Sequence, residues 1–84
     1  MKLDIEIRKF ILRSLLAAED VPMPNDSLKS SIEGAFPNVA FTAGDLRHHI
    51  KGAEDDNLID GTNDDVSGVV WLLTPKGKIH AQRL

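Results

Sequence analysis

The sequence predicts an α+β domain in which three helices come first and a β-hairpin with a short final helix comes last. Three observations predict it. Apolar residues recur at helical spacing as far as Glu54, the spacing changes to two from Leu58 onward, and a capping signature stands directly ahead of the third helix. At 84 residues the chain has room for one domain, residues 1–84, with a limited core.

The first helix is expected from about Leu3 to Ala18. Leu3, Ile7, Phe10, Ile11, Leu15 and Ala18 form one broad stripe at 3.6-residue spacing. Ile5, Leu12 and Leu16 form a second set near the opposite side, with Glu6, Arg8, Lys9 and Arg13 in the sectors between. A helix apolar on two sides is either sandwiched within its own domain or faces another chain. Val21-Pro22-Met23-Pro24 then forces an extended path, because each proline fixes its own φ and pushes its predecessor out of the α region. A very short strand is expected there, with Pro24 opening the second helix. That helix carries Leu28, Ile32, Ala35 and Phe36 on one side, turns Lys29, Ser30 and Glu33 outward, and stops at Pro37. Val39 and Phe41 pin the following turn to the core.

Thr42 is a good N-cap and Asp45 occupies the N3 position of a capping box, while Phe41 and Leu46 stand at the spacing of a hydrophobic staple. The third helix therefore runs from Ala43 to about Glu54, with Ala43, Leu46, Ile50 and Ala53 inward. Beyond it, Leu58-Ile59 reads as a short strand and Asp60 to Ser67 as a loop. Gly68 to Leu73 is a second strand, rich in β-branched and aromatic residues. Val69, Trp71 and Leu73 share one face of that strand, and Val70 and Leu72 the other. Thr74-Pro75 is an N-cap followed by proline at the first helical position, so a final helix passes through Ile79 and Ala81.

A hydrophobic content of 42% beside 27% charged residues fits a folded globule. There is no cysteine, hence no disulfide and no thiolate metal site. The alternating charges of Met-Lys-Leu-Asp-Ile-Glu-Ile-Arg interrupt any signal-peptide core, and no apolar run approaches the roughly 18 residues that span a bilayer. A cytoplasmic protein without membrane contact is expected. The net charge of −3 works against non-specific affinity for nucleic acid, so any such binding must rest on the field of one face.

The order helix, extended piece, helix, turn, helix, hairpin resembles the winged helix-turn-helix superfamily, as do two segments of the last third. These are Asn57-Leu58-Ile59 after the third helix, and Trp71-Leu72-Leu73-Thr74-Pro75-Lys76-Gly77-Lys78 after the polar loop. The resemblance spans nearly the whole chain, and is more specific for the fold than for function. It implies a helix-turn-helix core with a hairpin wing, double-stranded DNA as partner, and a third helix that enters the major groove. Carried onto this sequence, the DNA-facing residues would be Thr42, Gly44, Arg47, His48 and Lys51. Gly44 would let the helix N-terminus approach a phosphate, Arg47 would suit a guanine edge, Lys51 a phosphate, and His48 a base or phosphate. Arg8, Lys9 and Arg13, or Lys76 and Lys78, would extend the patch. The bland reading of Arg47 and Lys51 is a pair of solvated charges.

The acids Glu54, Asp55, Asp56, Asp60, Asp64 and Asp65 follow, with no base among them, and would repel phosphate. Their bland reading is a turn-forming, solubilising loop, since Asp60 to Asp65 does not keep the ligand spacing of a calcium loop. His48 and His49 are neighbours that point about 100° apart, so they are not expected to share a metal; His49 is expected to pack at the core margin. No phosphate loop, nucleophile elbow or metalloprotease motif is present, and neither catalysis nor a cofactor is implied. Two functions remain. One is a DNA-binding transcriptional regulator. The other is a protein-interaction module without DNA binding, to which the acidic wing and the second apolar face of the first helix point. A homodimer or protein interface would use Ile5, Leu12, Leu16 and Leu84, with Val70 and Leu72 also lacking an obvious place in the core.

Overall fold

The computed structural model describes residues 2–84. Its elements are α1 (Lys2–Ala17), β1 (Met23–Pro24), α2 (Asn25–Ala35), α3 (Ala43–Asp55), β2 (Ile59–Asp64), β3 (Gly68–Leu73) and α4 (Pro75–Gln82). Three antiparallel strands lie in the order β1-β3-β2. The helices supply most of a core in which Ile7, Ile11, Leu15, Leu28, Ile32, Leu46 and Ile50 are buried, and Leu58, Ile59 and Trp71 close it from the hairpin side. The Trp71 indole N–H, which would be costly to bury unpaired, donates to Asn25 Oδ1 at 3.0 Å and so ties the wing to the start of α2.

Aromatic contacts bind the helices to one another. Phe10 of α1 meets Phe36 edge-on at 5.9 Å, Phe36 meets Phe41 at 6.4 Å, and Phe41 meets His49 of α3 at 6.3 Å. The turn before α3 is thus held by Phe41, as its apolar character predicts. At the other end of α3, Asn57 takes φ 60°. Its N–H bonds Glu54 O at 2.9 Å while Leu58 N–H bonds Ala53 O at 3.0 Å. This is a Schellman ending with asparagine in the left-handed position that glycine more often fills.

The observed elements differ from the expected ones in several places. Pro24 is the N-cap of α2, and helical backbone begins at Asn25. Ala35 and Ala43 are exposed, because each sits at a helix terminus that projects past the core. The segment Asp60 to Ser67 is largely strand: β2 continues to Asp64, with Asp60 opposite Leu72, Thr62 opposite Val70 and Asp64 opposite Gly68. Turn-forming side chains do not prevent a ladder made by backbone groups. Gly61 has a specific place in it. A Cβ there would lie 2.7 Å from the Trp71 ring, so the missing side chain makes room for the indole.

Leu12 is a further correction. It is 3% exposed, since α4 packs along α1 and covers what looked like a second, free face. Leu16 packs against the core as well, sharing a hollow with Leu15 and Leu72 beside α4. Ile5 remains 55% and Leu84 45% exposed. The partner-facing apolar surface expected at four positions is thus reduced to Ile5 and Leu84.

Candidate nucleic-acid interface

The N-terminus of α3 is built by four contiguous residues. Thr42 N–H donates to Asp45 Oδ2 at 3.0 Å, and Asp45 N–H donates to Thr42 Oγ1 at 3.0 Å. The bond from the Thr42 backbone holds the Asp45 carboxyl below the ordinary carboxylate range. A bond from the Thr42 side chain and the nearby His49 and His48 rings act in the same direction. The reciprocal cap fixes where α3 begins and which residues its first turns present. Thr42, Gly44, Arg47 and His48 are all exposed.

His49 differs from its neighbour. Its side chain is only 15% exposed, edge-on to Phe41 and 3.8 Å from Asp4 of α1, whereas His48 faces solvent with its ring centroid 5.8 Å away. Among the described residues, no three His, Cys, Asp or Glu side chains converge as a metal site would require.

Lys51 is exposed but not free. Its Nζ bonds Asp55 Oδ1 at 2.9 Å and Glu54 Oε1 at 3.4 Å, and these contacts, Asp55 first, raise its pKa. The flanking bases are held in a similar way. Arg8 pairs with Asp56 at 2.5 Å, Lys9 with Glu6 at 3.6 Å and Lys78 with Asp20 at 2.6 Å. Lys76 donates to the Asp56 carbonyl at 3.0 Å. The basic support expected from Arg8, Lys9, Lys76 and Lys78 is therefore largely offset by acids and a helix-end carbonyl. The wing adds no positive charge: Asp60, Asp64 and Asp65 are exposed, and Asp64 accepts from Ser67 N–H at 3.0 Å.

One residue was missed by the sequence reading. Lys29 of α2 lines a hollow of about 210 Å³ together with Arg47 and Lys51 of α3 and Val69 and Trp71 of β3. The helical pattern places Lys29 on the outer side of α2 but carries no signal that this side abuts α3 and the wing. A second, larger hollow of about 480 Å³ lies between α1 and α4 and is rimmed by Ile5 and Leu84. No helix among the described residues is long and apolar enough to cross a membrane.

No protein-family model and no curated protein matches this sequence. Two solved structures are similar to it. One is a winged-helix DNA-binding protein from STIV, 22% identical over 99% of this chain and 84% of its own, with a TM-score of 0.67. The other is a MarR-family transcriptional regulator from Silicibacter pomeroyi, 21% identical, with a TM-score of 0.65. That match covers 92% of this chain and 47% of the regulator, so the present chain spans about half its length. At such identities the likeness is one of fold, and the fold is the winged helix.

Proposed function

We propose that this winged helix binds double-stranded DNA through the N-terminal half of α3 and acts as a small transcriptional regulator. The carrying observation is the asymmetry of α3. Its first half presents Thr42, Gly44, Arg47 and His48 to solvent, and among the described residues Arg47 has no carboxylate partner. Lys51 is neutralised from the second half, by Glu54 and Asp55. A major groove admits a helix, and the helix N-terminus adds a favourable field for phosphate. With a net charge of −3, the approach must bring this end in first and keep Asp64 and Asp65 away from the backbone.

The test is retention on random-sequence duplex DNA at about 50 mM salt, where even non-specific binding is measurable. Retention should fall as salt rises and be lost in an Arg47→Ala/His48→Ala variant. No retention at that salt would sink the proposal and favour the second reading, a protein-interaction module, which the acidic wing supports.

A homodimer belongs to the same proposal, with the α1–α4 groove as the contact between copies and two α3 helices presented to one duplex. Ile5 and Leu84 are its exposed apolar rim. Ile5→Glu/Leu84→Glu should then give a folded monomer by sedimentation, while a wild-type chain that sediments as a monomer at high concentration excludes the dimer. Leu12→Glu is not an equivalent test. A carboxylate at that buried position would unfold the chain.

A further inference from the structure

Most of the described bases have their charge answered within the chain. Arg8, Lys9, Lys51 and Lys78 face carboxylates, and Lys76 faces a carbonyl. Among the described residues Arg13, Lys29, Arg47 and Arg83 have no such partner. Two of these four come from different helices to one place. Lys29 of α2 and Arg47 of α3 line the hollow whose walls are Ile50, Val69 and Trp71; Lys51 lines it too, already paired with Glu54 and Asp55, and among the described residues no carboxylate lines it. Ile50 and Trp71 are buried, so the walls are apolar and the dielectric beside them is lower than in bulk water. Two unpaired like charges beside such a hollow, with Lys51 answered by Glu54 and Asp55, repel each other until an anion lies between them.

We infer that this hollow is a phosphate site, with Lys29 and Arg47 as its two arms. The guanidinium offers a planar fork to two phosphate oxygens, and the ammonium supplies a point charge from the other side. A volume of about 210 Å³ accommodates one phosphate group, and its open mouth lets a diester chain pass. The proposed duplex binding supplies the phosphate, and to that extent the inference rests on it; a free phosphate is the other source of the same chemistry. The assignment changes the role expected of Arg47. It grips the backbone and reads no guanine, and His48 on the open side of α3 is the side chain left for a base edge.

The salt dependence of duplex binding tests this, measured for Lys29→Gln, Arg47→Gln, the double variant and Arg83→Gln, each checked for unchanged helix content. One phosphate contact contributes about 0.9 to the slope of log K against log salt. A shared phosphate predicts that each single variant lowers the slope, that the double variant lowers it by about 0.9 in total, and that Arg83→Gln leaves it unchanged. A double variant lower by about 1.8, as two separate contacts would give, overturns the inference, and so does an unaltered slope in Lys29→Gln. Inorganic phosphate provides the second arm, read on the indole N–H of Trp71, the single tryptophan. A shift that Lys29→Gln abolishes, in a chain that does not retain duplex DNA, supports the site with free phosphate as its ligand and refutes only the DNA reading. Neither duplex binding nor a phosphate-induced shift refutes both.

Discussion

The two ends of α3 are held by different kinds of structure. Its C-terminal end is bonded to distant parts of the chain. Thr74 N–H reaches Leu58 O at 3.1 Å, Thr74 Oγ1 donates to Asn57 O at 2.5 Å, and Lys76 and Arg8 close on Asp56. The side-chain hydrogen bonds at its N-terminal end are those of Thr42 and Asp45, which span three residues, with Phe41 packed beside them. One end belongs to the core, and the other is organised locally and left facing solvent. A helix that inserts into a partner needs this division, since its projecting end cannot also be covered by the rest of the domain.

The largest effect should come from disturbing the anchored end. A Cβ at Gly77 would lie 1.9 Å from the Leu58 carbonyl oxygen, which is backbone and itself accepts from Thr74 N–H. Relief requires α4 to move off the end of α3. Gly77→Ala is therefore expected to cost about 3 kcal/mol or more, measured by urea denaturation. A cost under about 1 kcal/mol would mean that the contact between α4 and the α3 terminus is not tight, and the contrast between the two ends would fail.

Breaking the free end should cost less and act locally. Thr42→Ala removes the acceptor for Asp45 N–H and one side of the capping box, for an expected loss of about 1 kcal/mol. Amide exchange should accelerate at Asp45 and Leu46, whose N–H groups bond Thr42, while Leu58 and Thr74 keep their protection. Equal acceleration at both ends would show that α3 frays as one unit, contrary to the division drawn above.

The same division explains what was legible in the sequence. The capping box could be read because Thr42, Asp45 and their bonded backbone groups lie in one short run, and the start of α4 could be read from Thr74-Pro75 for the same reason. β3 was legible because valines, tryptophan and leucines alternate between two sheet faces. Long-range placement was not. Leu12 looked unpartnered because nothing in its own helix reveals that α4 lies across it. Lys29 looked like an ordinary outward lysine because its neighbours in space, Arg47 and Trp71, are far along the chain. The polar half of β2 was hidden by side chains that favour turns, although Asp60, Thr62 and Asp64 leave the ladder intact. The loss of Lys51 as a free cation, by contrast, is a local matter of Glu54 and Asp55 at the i+3 and i+4 positions of one helix.

The smallest expected effect isolates the carboxylate within the cap. Asp45 has its pKa lowered in the folded chain, chiefly by the bond from Thr42 N–H. A group with a depressed folded pKa stabilises most when ionised. Its contribution is complete above the unfolded value of about 4 and disappears as pH falls through the folded value. Acidification below about pH 4 should therefore release the first turn of α3 before the Schellman end loosens, seen as faster exchange at Asp45 and Leu46 with Leu58 still protected. Asp45→Asn keeps an acceptor for Thr42 N–H but has no charge to lose, so its first turn should show no such acid step. If the asparagine variant follows the wild-type profile, the acid sensitivity arises elsewhere, and the free end of α3 is not governed by its own cap.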